Sequence, residues 1–115
     1  MLKTIQIDGK DVEMLANAAS PYIFQNLFHE DFIRETQKAE PDFHIMEKMG
    51  FVMAMQACKP TDQLLRLKME DYLEWLAGFG PMSVLQAAAE IGSLYAAQEV
   101  GHSEPKKEDA GRSAS

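Results

Sequence analysis

The stretch FHIMEKMGFVMAMQAC, residues 43–58, predicts the longest helix of the chain. Asp42 directly before it is a typical helix cap, and Lys59-Pro60 ends it, because the residue before a proline avoids helical backbone angles. A helix that is apolar all round has to be buried by the rest of its domain. Burial on most sides is favoured here by four residues, Phe43, Ile45, Phe51 and Val52.

The methionines of this helix allow two interpretations. Met46, Met49 and Met53 follow one another at i, i+3 and i+7, so they form one stripe. Flexible thioether side chains fill irregular gaps in a core, and they also suit a surface that accepts varied apolar partners. We favour the core interpretation and retain the three methionines as candidate protein-interaction residues.

A β-hairpin is predicted at the N-terminus. Apolar residues alternate in two short segments, the first with Ile5 and Ile7 and the second with Val12 and Met14. Asp8-Gly9 lies between them, and this pair favours a type I′ turn, which needs positive φ at both central residues. Two strands alone are marginally stable, so we expect the hairpin to lie on the helices.

Two helices are predicted between the hairpin and residue 43. Ser20 as N-cap and Pro21 in the first turn begin a helix over SPYIFQNLF. The second extends from about Asp31 to Ala39 and ends at Pro41. Its inward-facing residues are expected to be Phe32, Ile33 and Thr36.

A short helix is predicted from about Glu70, after residues 61–69, which are helix or irregular turn. Four aromatic or apolar residues share one face of this short helix by their spacing, Tyr72, Trp75, Leu76 and Phe79. We expect Trp75 to be a core anchor rather than a binding residue.

The stretch GFGPMSVLQAAAEIGSLYAAQ, residues 78–98, predicts a very apolar last helix after Pro81. Its broad apolar stripe suits a core, and its opposite face carries small residues. Either this helix is central in the domain, or the small-residue face meets another subunit. The candidate interface residues are Ala87, Ala89, Ala96 and Ala97.

Composition narrows the class of protein. The chain of 115 residues is 46% hydrophobic and 25% charged, as in one ordinary globular domain, and its net charge of −7 disfavours nucleic acid as a partner. Its apolar runs are too short for a membrane span, and no signal-peptide core begins the sequence, so we expect a cytosolic protein. The expected fold is mainly α, with the hairpin and about five helices in residues 1–98 and a disordered tail in 99–115.

No catalytic, cofactor or metal site is predicted. His44 and Glu47, at i and i+3, share a helix face in a usable ligand geometry and lie in the polar part of the chain that also contains His29. The Glu-x-x-His doublet of di-iron bundles is absent, because the order is reversed and is not repeated. Cys58 is the single cysteine, so it forms no internal disulfide, and its apolar neighbours predict a buried thiol of low reactivity. The segment GFGP is not a phosphate-binding loop.

The order of segments resembles the tail assembly chaperones of long-tailed bacteriophages and prophages, in the type common in Gram-positive hosts. The similarity lies in a hairpin followed by Ser20-Pro21, then Leu27 to Asp31, then Trp75-Leu76 with Phe79 and Pro81, then an apolar last helix and a polar tail. It covers roughly residues 3–98. The chain departs from the family pattern in GFGP, where an acidic or polar residue is expected between Phe79 and Pro81.

The resemblance implies a protein that is not an enzyme and acts in the bacterial host cytoplasm. Such chaperones bind the long helical tape-measure protein and keep it from aggregating until tail-tube protein displaces them. The partners implied are the tape-measure protein, the tail-tube protein and further copies of this chain, with no cofactor, nucleic acid or membrane. The alternative is a small helical adaptor or regulatory module unrelated to phage, and an enzyme built on His29 and His44 is a third possibility.

Overall fold

A hairpin and a set of helices surround one central helix in the computed structural model, which describes residues 2–40, 42 and 44–103, with side chains as far as residue 97. The mainly α fold with an N-terminal hairpin is confirmed. Within the described residues the elements are β1 (Leu2–Ile7), β2 (Lys10–Leu15), α1 (Ser20–Phe28), α2 (Phe32–Thr36), α3 (Ile45–Cys58), α4 (Thr61–Leu64), α5 (Met69–Leu76), α6 (Ser83–Gln86) and α7 (Ala88–Ser103).

The hairpin forms as the alternation predicts. β1 and β2 pair antiparallel with Ile7 opposite Lys10, and Asp8 and Gly9 have φ of 57° and 76°, as a type I′ turn requires. Ile5, Ile7 and Met14 are buried, and β2 packs on α3. The two strands are therefore stabilised by the helix beneath them.

The central element is α3, and α7 lies beside it. Four side chains in the middle of α3 have 0% exposure, namely Met49, Phe51, Val52 and Met53. The helix is contacted by β2, α1, α2, α4, α5, α6 and α7. Of the two predicted apolar helices, the one that is surrounded is therefore α3.

A glycine permits the close approach of α7 to α3. A Cβ atom added at Gly50 would lie 2.8 Å from Cδ1 of Ile91, which is itself fully buried. At Gly92 on α7, the same added atom would be in ordinary contact, 3.6 Å from Sδ of Met46. The close contact thus depends on the glycine of α3.

A buried polar network joins α1 to α3. The Ser20 hydroxyl donates to Oε1 of Gln56 over 2.6 Å, and Nε2 of Gln56 donates to Oδ1 of Asn17 over 2.9 Å. Asn17 N donates to the Ser20 hydroxyl over 3.0 Å. Ser20 is therefore the first helical residue rather than the N-cap that we expected, because its hydroxyl serves Gln56 and Ala19 occupies the cap position.

Helix α2 is shorter than predicted. It ends at Thr36 rather than near Ala39, with Asp31 as its N-cap, where the carboxylate accepts from Arg34 N. A helix of five residues brings only Phe32 into the core, so Ile33 is 51% exposed, contrary to the prediction. Pro41, the predicted stop, lies outside the described residues, as does Phe43.

The other differences concern helix ends. Residues 61–69 contain the single turn α4. The predicted last helix is divided at Ala87 into α6 and α7, and the Ala87 N–H is shared among carbonyls of the preceding turn. α3 begins at Ile45, and Asp42 contributes by accepting from His44 N over 3.0 Å. α7 continues past the expected boundary at residue 98 as far as Ser103, and the rest of the predicted tail, 104–115, lies outside the described residues.

We predict that Gly50→Ala lowers the free energy of unfolding by about 1–3 kcal/mol, because the new methyl group overlaps Cδ1 of the fully buried Ile91 side chain, which would have to shift within the core. Gly92→Ala is the matched control, and we expect it to be neutral or stabilising by up to about 1 kcal/mol through helix propensity. Urea unfolding measures both. Ile91→Val removes Cδ1 and should reduce the penalty of Gly50→Ala; an equal penalty in the Ile91→Val background would contradict the close contact.

Candidate functional site

A groove lies on the surface between α3, α5 and the segment that joins α5 to α6, with a volume of about 540 Å³. We call it the α3–α5 groove. Its apolar wall consists of Leu73, Leu76, Phe79, Pro81 and Val84. Its polar end consists of Asp42, His44, Glu47, Lys48 and Tyr72.

The helix α5 is apolar towards solvent as well as towards the core. Tyr72 is buried and Trp75 is partly buried against the core, while Met69 is 48% and Leu73 57% exposed. Met69, Leu73 and Leu76 are spaced at i, i+4 and i+7, so they share one face of the helix. Isolated exposed apolar residues are ordinary, but a row of them beside a groove is typical of a binding surface.

The ring of Trp75 lies between two other aromatic rings. Its centroid is 5.6 Å from that of Phe51 on α3 and 5.2 Å from that of Phe79. Phe79 in turn contributes to the wall of the α3–α5 groove. These contacts connect the groove wall to the core.

The hairpin turn holds the far wall of the groove in place. The Asp8 carboxylate accepts from Gly80 N over 3.1 Å, and the Lys10 ammonium donates to the carbonyl of Gly78. Lys10 Nζ also lies 5.3 Å from the centre of the Phe79 ring. The segment after α5 is thus attached to a turn some seventy residues earlier in the chain.

The polar end of the groove contains a buried carboxylate. The Glu47 side chain is 9% exposed, and its Oε1 pairs with Nδ1 of His44, whose side chain is 59% exposed. Lys48 is engaged elsewhere, since its Nζ lies 2.8 Å from Glu30 Oε1 and 3.9 Å from Asp42 Oδ2. One oxygen of Glu47 therefore has no hydrogen-bond partner among the described residues.

Tyr72 adds a second buried polar group to the same end. Its ring makes edge contacts with Phe28 and Phe51 at 5.1 and 5.4 Å, and the residue is 5% exposed. Its hydroxyl makes no hydrogen bond within the described part of the chain. Burial, and then the negative charges of Glu47 and Asp42, raise the pKa of Tyr72 well above its ordinary value. The phenol is therefore protonated at neutral pH, and its hydroxyl can both donate and accept a hydrogen bond.

The structure separates the interaction residues predicted from the sequence into two sets. Met49 and Met53 are fully buried and Met46 packs against the core, as the core interpretation of the methionine stripe expects. Ala87 is buried as well. The other alanines of α7 are exposed, namely Ala89, Ala96 and Ala97.

The other residues considered for chemistry are distributed over the surface. His29 is the left-handed C-cap residue of α1, with φ of 58°, and is exposed. Cys58 is exposed, contrary to the expected burial, because it is the last residue of α3 and lies at the rim of a second hollow beside Trp75. Across the described residues, no three His, Cys, Asp or Glu side chains are grouped so that they could hold a metal ion.

A third hollow, of about 260 Å³, lies between α1 and α4. Its rim includes Tyr22 and Leu65, which are 73% and 60% exposed. Its polar Gln56 is already bonded within the fold. The α3–α5 groove differs from it because it combines an apolar helix face with two buried polar atoms, the Tyr72 hydroxyl and one Glu47 oxygen, that make no hydrogen bond to the described residues.

Sequence reasoning did not identify Met69 and Leu73 as site residues. The signal was present, because both are apolar and both lie off the face defined by Tyr72 and Trp75. The sequence pattern indicates Glu47 only as a candidate for a metal or acid–base site. Its position in the groove depends on α5, which is distant in sequence.

Comparison with known proteins returns no matching family model, no matching curated protein and no matching solved structure. No helix within residues 2–40, 42 and 44–103 is both long enough and apolar enough to cross a membrane.

We predict that Tyr72→Phe changes the free energy of unfolding at pH 7 by less than about 1 kcal/mol, because the hydroxyl makes no hydrogen bond to the described residues. At alkaline pH the two proteins should differ. A phenol whose pKa is raised by folding contributes stability below the ordinary tyrosine pKa of about 10, and this contribution is lost as the pH rises above it. Above about pH 10, the free energy of unfolding of the wild type should fall by up to about 1.4 kcal/mol per pH unit more than that of the variant.

Urea unfolding at pH 7 and at pH 11 tests this prediction, and the comparison with Tyr72→Phe removes the effect of lysine deprotonation, which both proteins share. Parallel losses of stability in the two proteins would show that the Tyr72 hydroxyl is not held in a buried, negatively charged environment.

Proposed function

We propose that this chain is a tail assembly chaperone of a long-tailed phage or prophage. It binds the tape-measure protein in the cytoplasm of the bacterial host and keeps it soluble until tail-tube protein replaces the chaperone. The resemblance over residues 3–98 supports the family. The chain acts by binding rather than by catalysis.

The observation that carries this proposal is the exposed apolar face of α5 beside the α3–α5 groove. An amphipathic helix binds by placing its apolar face in such a groove, with anchors at i, i+3 or i+4 and i+7. Leu73, with more than half of its surface exposed at 57%, lies where a client helix would contact the apolar wall. Covering this face with the client hides apolar surface on both molecules.

Several copies of the chaperone would serve a long client better than one. Linked binding sites raise the overall affinity without any new contact, provided that their spacing allows simultaneous binding. The exposed alanine face of α7, formed by Ala89, Ala96 and Ala97, allows close approach of a second copy. We therefore propose that the chain forms homo-oligomers through α7.

A helical adaptor module is the alternative function. The specific observation in its favour is the polar end of the groove, because buried polar groups select one partner more than they help a general apolar client. Gene neighbourhood separates the two functions. A chaperone gene is expected between a tail-tube gene and a very long gene that encodes a helix-rich protein.

Co-expression with the long helix-rich protein of the neighbouring gene tests the proposed activity. We predict that the wild-type chain raises the soluble fraction of that protein and that Leu73→Glu abolishes the effect, because a charge in the apolar wall opposes burial. Ile33→Glu is the matched control, since Ile33 is 51% exposed on α2, outside the groove. Equal effects of the two substitutions, or full activity of Leu73→Glu, would contradict the assignment to the groove.

Oligomerisation is tested by light scattering of the purified chain. We predict that replacing both Ala89 and Ala97 by glutamate converts the oligomer to a monomer and leaves the circular dichroism spectrum unchanged, because introduced like charges repel across the contact. Glutamates at Ala18 and Ala39, two exposed alanines outside α7, are the control. A wild-type protein that remains monomeric at high concentration contradicts this proposal.

A further inference from the structure

The central helix α3 carries two buried polar side chains whose surroundings differ. Gln56, 8% exposed, uses both its oxygen and its nitrogen in the network with Ser20 and Asn17. Glu47, 7% exposed, has His44 as its hydrogen-bond partner in the described residues. Buried polar groups in folded proteins are normally paired, so the unused oxygen of Glu47 needs an explanation.

Among the described residues, the surroundings of Glu47 supply no partner for its second oxygen. Lys48 is the next residue, but its ammonium is held by Glu30 on one side and lies near Asp42 on the other. The Tyr72 hydroxyl faces the same polar end and is also unpaired among the described residues. Glu47 and Tyr72 together present oxygen acceptors at the end of a hollow with apolar walls.

The charge balance at this end favours a cation. Asp42 and Glu47 are negative, and the positive charge of Lys48 is already matched by Glu30. His44 pairs with one oxygen of Glu47 and adds a positive charge only when its ring is protonated. A buried carboxylate is costly unless a positive group or further hydrogen bonds compensate it. An ammonium or guanidinium group has only donors, which match the acceptors of Glu47 and Tyr72.

We infer that the α3–α5 groove binds a helix whose apolar stripe contains one Lys or Arg, and that this cationic side chain enters the polar end to pair with Glu47 and Tyr72. The apolar residues of the same helix lie on Leu73, Leu76 and Phe79. This inference rests on the proposed function, because the helix is taken to be a segment of the client. The chemical feature that selects this segment of the client is its cationic side chain.

A displayed library of helices tests the inference without knowledge of the client. The helices are about 18 residues long, long enough to be stable when alanine-rich, and vary at i, i+3, i+4 and i+7. Binders are selected on the full chain, on Glu47→Gln and on Glu74→Gln. Glu74 is an exposed carboxylate of α5 outside the groove lining, so its variant is the matched control.

We expect the wild type and Glu74→Gln to enrich apolar residues together with one Arg or Lys. Glu47→Gln should retain the apolar preference and lose the cation. Apolar binders without a cation on the wild type, or the same cation on Glu47→Gln, would overturn the inference and leave the chaperone proposal standing. Failure to enrich any helix on the wild type would overturn the groove as a binding site for both proposals.

A selected Arg-containing helix is then used to measure how much the charge of the arginine contributes to binding. Citrulline has the shape of arginine without its charge, and we expect it to weaken binding to the wild type by about tenfold or more in fluorescence anisotropy. The same replacement should have little effect on binding to Glu47→Gln, since the charged partner is already absent. An equal loss for both proteins would contradict the pairing. Tyr72→Phe, which keeps the ring contacts, should weaken binding of the arginine helix alone.

Discussion

The enclosure of α3 by the hairpin and the other helices is the constraint on which the rest of the structure depends. A helix that is apolar on most sides is stable in a folded protein only when other elements cover it, and here the hairpin and the other helices each cover part of α3. Because α3 is enclosed, its buried polar side chains need hydrogen-bond partners. Gln56 is satisfied by residues of the loop before α1 and of α1 itself, whereas Glu47 lies where coverage by α5 is incomplete and a groove remains. The proposed binding site is thus a gap in the covering of the central helix.

Local sequence patterns were sufficient for the elements that depend on local physics. Asp8-Gly9 predicted the hairpin turn, and Lys59-Pro60 predicted the end of α3, because both act through backbone angles of neighbouring residues. The errors came from contacts between distant residues. Ser20 bonds Gln56, thirty-six positions later, instead of capping its own helix, and Cys58, the last residue of α3, is exposed at the rim of the second hollow.

The candidate site was less predictable than the fold, because three separate parts of the chain build it. The tip of the hairpin attaches to Gly78 and Gly80, which positions Phe79 and the wall of the groove. No periodicity in the sequence indicates such a connection. The methionine stripe and the alanine face were visible as patterns, but a pattern of spacing does not tell which side of a helix its neighbours leave open. The exposure of Leu73 is likewise not predictable from its spacing, because it depends on which side of α5 the other elements cover.

The chain contains both exposed and fully buried methionines, so methyl NMR can test whether the α3–α5 groove is the binding surface. Met69, one turn before the lining residue Leu73 on α5, and Met82, next to the lining residue Pro81, are 48% and 53% exposed. Met14, Met49 and Met53 are fully buried. With ¹³C-methyl methionine in the chain and the neighbouring gene's helix-rich protein unlabelled, we predict that the signals of Met69 and Met82 shift or broaden on complex formation and those of the core methionines stay in place. Complex formation that leaves Met69 and Met82 unchanged would contradict binding at this groove.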